Sequence, residues 1–266
     1  MNAINFDDII LGDVISNGSF IQVYKAKWLT KDVAVKKAHI SSYNSIRRGT
    51  KQLFRANHEN IIFLHGTSIE GPTLYLVMEY VDGGLLNSFL HTEQTKYELQ
   101  HVINWALQIA KGIGYLHDQA VVHRDISPRS ILLCDKHRYV KIYDFSFVRQ
   151  LDTIMTSNVG DIAYMAPEVY NNEKYTEKCD IYSFAITLWE MLSRKKPFER
   201  YTDSSTICQT VETGERPSLD ELQFHCPDKI QELMIGCWSP DPDKRASMKD
   251  IIVVLNVHQQ VFDLSL

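Results

Sequence analysis

His123-Arg124-Asp125 and Asp144-Phe145-Ser146 stand close together in the chain, the second directly after Val140-Lys141-Ile142-Tyr143. Upstream lies the strand-like run Val33-Ala34-Val35-Lys36, and downstream Met165-Ala166-Pro167-Glu168. Any one of these strings recurs by chance, but their order and spacing along one chain make them a set. The sequence before them has β texture. Val14-Ile15 and Phe20-Ile21-Gln22-Val23-Tyr24 flank Ser16-Asn17-Gly18-Ser19, and Asn-Gly is the strongest short hairpin signal. Lys31-Asp32 is expected to turn the chain between residues 24–29 and 33–36. Residues 45–56 predict a helix with Ile46, Leu53 and Phe54 on one side, weakened by Gly49. Short strands are expected over 61–67 and 74–80, around Glu70-Gly71-Pro72.

After Asp82-Gly83-Gly84 the texture becomes helical. Val102, Trp105, Ala106, Ile109, Ile113 and Leu116 follow the spacing of one amphipathic helix face. Residues 181–192 are apolar nearly all round, as in a helix buried within a larger core. Ser247-x-x-Asp250 reads as a capping box opening the last helix. Residues 144–168 are polar and unpatterned, and a loop of that length inside a compact domain is usually functional.

A chain of 266 residues makes one large domain or two modest lobes, at roughly 100–200 residues per domain. Its 44% hydrophobic and 23% charged residues argue against disorder. The net charge of −5 argues against a nucleic-acid partner. The five cysteines, Cys134, Cys179, Cys208, Cys226 and Cys237, form no C-x-x-C pair. That pattern disfavours a disulfide framework or zinc site and suits a reducing, cytoplasmic setting. No basic region followed by an apolar stretch opens the chain, so no signal peptide is expected. The longest apolar runs, such as 251–255, are far short of a membrane span. The expected architecture is α+β: a single domain over 6–260 with short tails at 1–5 and 261–266. Residues 6–81 would form a small β-rich lobe with one helix, and 82–260 a larger, mainly helical lobe. A cleft between lobes is a natural ligand site.

The four strings together resemble the signature set of the protein-kinase family, over essentially the whole chain. Pro128 matches the serine/threonine pattern, and 237–245, read Cys-Trp-Ser-Pro-Asp-Pro-Asp-Lys-Arg, looks like the tyrosine-kinase-like branch. Lys25-Ala26-Lys27-Trp28, Lys31-Asp32-Val33-Ala34, Val77-Met78-Glu79-Tyr80 and Tyr175-Thr176-Glu177-Lys178-Cys179-Asp180 resemble the transforming-growth-factor-β-activated kinases, which are mitogen-activated protein (MAP) kinase kinase kinases. The resemblance implies the bilobal protein-kinase fold, ATP and Mg²⁺ as cofactors and protein substrates. It also implies signalling partners, an activator protein binding the large lobe among them, while the charge and the short apolar runs predict neither a nucleic-acid nor a membrane partner.

By this resemblance Lys36 would hold the α- and β-phosphates, Asp144 would ligate Mg²⁺, and Asp125 would orient or deprotonate the acceptor hydroxyl. Val23, Ala34 and Leu132 match the positions that sandwich adenine, though plain core packing explains them equally well. Met78 matches the gatekeeper, and Glu79 and Tyr80 the hinge. Leu53, His123 and Phe145 match a spine linking the lobes, Glu168 and Arg245 a buried ion pair, and Asp180 the brace of the catalytic loop. Thr153 and Thr156 are candidate phosphorylation sites in the activation loop.

Against this pattern stand several departures. The glycine-rich loop G-x-G-x-x-G is represented by Ser16, Gly18 and Ile21. Nine residues before His58, where the family's helix carries glutamate, stands Gly49, and residues 37–57 contain no acid. Lys36 must therefore be held by something else or remain loosely placed. Ser127 replaces the lysine that touches the γ-phosphate, and Ser130 the asparagine that binds the second metal. Losing one transition-state charge stabiliser costs about 10²–10³ in rate. A serine hydroxyl can ligate Mg²⁺, so Ser130 is a weak metal candidate; Ser127 supplies no charge. Ser146 in place of glycine is a milder change. Asp161 stands where a serine or threonine hydroxyl bonds the catalytic aspartate. It either repels Asp125 and raises a carboxyl pKa, or mimics a phosphorylated residue by pairing with Arg124.

Two functions remain from different classes. One is a pseudokinase, a scaffold or allosteric regulator in a stress-activated MAP kinase cascade that retains ATP binding. The other is an active ATP-dependent serine/threonine kinase with a non-standard phosphate site.

Overall fold

The computed structural model describes residues 2–17, 21–39, 43–92, 95–150 and 160–263. Strands β1 (Ile9–Asn17), β2 (Ile21–Trp28) and β3 (Lys31–His39) form an antiparallel meander, followed by helix α1 (Tyr43–Arg55). Strands β4 (Leu64–Glu70) and β5 (Thr73–Glu79) complete a five-stranded antiparallel sheet in the order β1-β2-β3-β5-β4. The β2–β3 turn lies at Leu29-Thr30, two residues earlier than expected. Lys31 and Asp32 instead pair with Trp28 and Lys27, and Leu29 takes the left-handed conformation at φ +54°. Residues 2–4 run alongside β4, where the Ile4 amide donates to the Thr67 carbonyl at 2.9 Å.

β3 is buried on both faces, and the two-residue strand period sorts its side chains. Val33 and Val35 pack with Tyr75 and Val77 on one side. Ala34, Lys36 and Ala38 fall on the other, where Ala38 joins Leu74, Leu76 and Met78. That second face looks toward the rest of the chain, and its cluster also takes in Leu53, Leu64, Leu116, Val121 and Phe145.

The remainder is mainly helical: α2 (Leu86–His91), α3 (Leu99–Asp118), α4 (Pro167–Tyr170), α5 (Lys178–Ser193), α6 (Ser204–Glu212), α7 (Asp228–Cys237) and α8 (Met248–Asp263). Short strands β6 (Val121–Val122) and β9 (Arg149–Gln150) pair with each other, as do β7 (Ile131–Cys134) and β8 (Tyr139–Ile142). This is the bilobal kinase architecture. α5 is the centre of its helical lobe, with every residue from Cys179 to Ser193 buried. The capping box at Ser247 forms, since the Asp250 amide donates to Ser247 Oγ and the Ser247 amide to Asp250 Oδ2. All five cysteines are free. Among the described residues no helix is long and apolar enough to cross a membrane.

Candidate active site

The strand period sends Lys36 into the space beneath the sheet, where it is only 8% exposed. Its Nζ donates to Asp144 Oδ1 at 2.9 Å and to Ser146 Oγ at 3.4 Å, and Ser146 Oγ in turn donates to the same Oδ1 at 2.5 Å. The lysine is therefore held by the 144–146 turn rather than left loose. Burial pushes the Asp144 carboxyl up, but the Lys36 charge and the bonds from Ser146 and Lys36 outweigh it and hold the carboxyl below its usual value. Asp144 sits at φ +62°, a left-handed conformation for which aspartate is one of the better-suited side chains.

Gly49 lets α1 sit against this same turn. A Cβ built there overlaps the Phe145 carbonyl oxygen and comes within 2.7 Å of its carbon. α1 thus rests its backbone directly on the backbone of the 144–146 turn, a close approach that only glycine permits. A glutamate has no room at this position. The spine positions do meet: His123 and Phe145 pack edge to face at 5.3 Å, and Leu53 joins Phe145 in one cluster. A small cavity of about 30 Å³ remains among Lys36, Thr50, Leu53, Leu76, Met78 and the 143–146 turn.

The catalytic loop is tied down from below. Asp180, fully buried in α5, accepts the backbone amides of His123 at 2.9 Å and Arg124 at 2.8 Å, with His117 Nε2 at 2.9 Å. Downstream, Ser127 and Ser130 close on each other. The Ser127 amide donates to Ser130 Oγ at 3.1 Å, Ser130 Oγ donates to the Ser127 carbonyl at 3.0 Å, and Ser127 Oγ accepts the Arg129 amide at 3.3 Å. Both serines are 2% exposed. The two serines thus form a local capping motif.

Asp161 does not pair with Arg124, contrary to one of its two expected roles. Arg124 is already taken, donating to the Phe147 carbonyl at 2.5 Å and the Tyr175 hydroxyl at 2.8 Å. Asp161 instead accepts from Arg129 at 2.9 Å, while its amide donates to Asp125 Oδ1 at 3.4 Å. Gly160, at φ +106°, leaves the space this requires, since a Cβ there would lie 2.9 Å from Asp125 Oδ1. Burial raises the Asp125 pKa most. The Asp144 and Asp161 charges add to the rise, and His123 and the Asp161 amide partly offset it. A cavity of about 510 Å³ opens beside Asp125, lined also by Ser127, Arg129, Gly160 and Asp161.

The positions expected around adenine are neighbours in the ladders: Val23 faces Lys36 across β2–β3, Ala34 faces Met78 across β3–β5, and Leu132 bridges to Leu85. The Glu79 side chain fastens this region, accepting the Phe63 amide at 2.7 Å and pairing with Lys141 at 2.9 Å. Lys25 lies over the Tyr80 ring at 4.5 Å. Ser16, exposed on β1, pairs with Val23. Gly18, Thr153 and Thr156 lie outside the described residues.

Residues 9–255 match the model of the protein tyrosine and serine/threonine kinase family. The chain belongs to that family. It is 44% identical over 258 residues to mitogen-activated protein kinase kinase kinase 7 of Drosophila melanogaster, covering 95% of this chain and 38% of that protein. The human protein of the same name is 38% identical over 259 residues, covering 95% and 42%. A putative mitogen-activated protein kinase kinase kinase 7-like protein of Drosophila melanogaster is 34% identical over 258 residues, covering 93% and 66%. The chain thus spans less than half the length of the first two relatives. These likenesses agree with the group the sequence motifs resemble.

Two features of the kinase site escaped the sequence reading. Ser146 is a direct partner of both Lys36 and Asp144, which a residue-by-residue comparison with glycine does not suggest. The Ser127–Ser130 lock did have a signal in Ser127-Pro128, since serine is a favoured N-cap and proline a favoured first residue of a helical turn.

Proposed function

We propose that this kinase domain acts in a stress-activated MAP kinase cascade as a cytoplasmic scaffold or allosteric regulator that binds ATP and transfers phosphate poorly or not at all. The observation that carries this reading is the mutual engagement of Ser127 and Ser130. At the two positions where the family places a phosphate-binding lysine and a metal-binding asparagine, the side chains bond the loop itself. The absence of a glutamate at Gly49 adds to it, since Lys36 rests on Asp144 and has no link to α1 through that position. Losses within one catalytic unit are not additive, yet each removes charge or positioning from the same phosphate site. Nucleotide binding is supported by Lys36 and by the adenine-facing positions Val23, Ala34, Met78 and Leu132. Mg²⁺, when bound beside Asp144, supplies neutralisation of the triphosphate charge. The 160–161 backbone orients Asp125, and Asp180 fixes the loop that carries it.

A second reading, an active serine/threonine kinase, is favoured by the survival of Lys36, Asp125 and Asp144 within one cleft. Protein substrates and an activator seated on the large lobe belong to either reading as proposals.

A thermal-denaturation titration with ATP tests the binding. Ligand at about 100 times its Kd stabilises by about 2.7 kcal/mol, so millimolar ATP is expected to raise Tm. Lys36→Met, compared with its own ATP-free Tm, is expected to lose most of that rise. An unchanged rise in the variant shows that Lys36 is not the phosphate ligand. No rise in the wild-type protein leaves a nucleotide-free scaffold.

A further inference from the structure

We infer that the site takes its nucleotide with a single divalent cation, held by Asp144 alone among the side chains, and that Ser130 is a structural residue of the catalytic loop rather than a metal ligand. The inference rests on the nucleotide-binding reading above and narrows it.

A serine hydroxyl has one proton and two lone pairs. In Ser130 the proton goes to the Ser127 carbonyl and one lone pair to the Ser127 amide. The Ser130 backbone is fastened as well, its amide donating to the Ser127 carbonyl at 2.9 Å and its carbonyl accepting the Tyr143 amide at 2.9 Å. A serine that serves Mg²⁺ must turn a lone pair to the ion. One lone pair is left over, but both bonds hold the hydroxyl against the Ser127 backbone at 2% exposure, so swinging it out toward a cation would break buried hydrogen bonds that water cannot replace. Serine is also shorter than asparagine, so the oxygen stays close to the loop backbone instead of reaching into the cleft. The second cation position of the family therefore lacks its side-chain donor in this chain.

The first position is narrowed too. Oδ1 of Asp144 receives both Lys36 and Ser146, while among the described residues Oδ2 accepts no hydrogen bond. That leaves one carboxylate oxygen for a cation. Among the described residues no group of three or more His, Cys, Asp or Glu side chains converges as a metal site. The cation must then be completed by phosphate oxygens and water, which suits Mg²⁺, an ion that binds through one or two carboxylates plus substrate phosphates. One cation with no charged residue at 127 leaves the triphosphate less neutralised and removes stabilisation from a transferring phosphoryl group.

The test counts Mn²⁺, an electron-paramagnetic stand-in for Mg²⁺, on the full chain saturated with a non-hydrolysable ATP analogue. The expected result is one Mn²⁺ per bound nucleotide, without the dipolar broadening of two adjacent ions. Ser130→Asn, checked for an intact melting transition, is expected to raise the count from one to two and to introduce that broadening. Two ions in the wild-type protein overturn the inference, and that count stands whether or not the variant folds. A folded Ser130→Asn that still holds one ion overturns the assignment of the missing site to residue 130. No nucleotide binding at any Mn²⁺ concentration overturns the inference together with the binding reading, which distinguishes that failure from a two-ion result.

Discussion

Arg245→Ala is expected to destabilise the protein by about 3–5 kcal/mol, because it strands a buried carboxylate. Arg245 meets Glu168 with two parallel bonds of 2.6 and 2.8 Å, and both side chains are almost wholly buried. The same guanidinium donates to the carbonyls of Ser239 at 2.8 Å and Lys178 at 2.9 Å and lies over the Tyr182 ring. One side chain thus ties the segment after α7 to α4 and α5. At about 2–4 °C per kcal/mol for a domain of this size, Tm should fall by roughly 6–20 °C in a calorimetric scan. Replacing both partners by apolar residues of similar volume, Arg245→Met with Glu168→Leu, should recover part of the loss, since no charge is then stranded although the Ser239 and Lys178 carbonyls lose their donor. A loss below about 1 kcal/mol in the single variant would show that the pair does not hold these elements together.

Gly49→Ala is the second large effect. A single methyl at this position strikes backbone, which cannot rotate away as a side chain could. Overpacking of this kind costs about 1–3 kcal/mol, even though alanine is otherwise the better helix former. Gly49→Glu, which restores the residue the family carries there, should be at least as destabilising and should not re-form the lysine–glutamate pair while α1 keeps this seat. Urea denaturation of the two variants reads the cost. A stabilised Gly49→Ala, as intrinsic helix propensity alone would give, would mean that α1 does not rest on the Phe145 carbonyl.

Much of the fold was legible in the sequence because it follows periodicity and turn chemistry. The β1–β2 hairpin, the amphipathic face of α3, the all-round apolar α5 and the Ser247–Asp250 cap follow from those patterns. The β2–β3 turn was displaced because Leu29 adopts a left-handed conformation, which nothing in its side chain announces. At the site, the sequence showed which family positions had changed, and the absence of acid near Gly49 left Lys36 either held by another partner or loosely placed. It could not show which one. Ser146 lies 110 residues away and becomes a partner only when the turn at Asp144 is folded beneath β3. The pairing of Asp161 was missed for a related reason. Arg124 was the nearer candidate by motif, but the Tyr175 hydroxyl and the Phe147 carbonyl occupy it, leaving Arg129, whose role no motif specifies.

The central claim is that the kinase scaffold is intact while its phosphate-transfer chemistry is largely lost. The direct measurement is phosphotransfer from Mg²⁺-ATP to a generic serine/threonine substrate by the purified protein, run beside Asp125→Asn at equal concentration and matched folding. The predicted result is equal, near-background incorporation in both, with ATP still stabilising both proteins. Incorporation by the wild-type protein that vanishes in Asp125→Asn would contradict the claim and establish an active kinase.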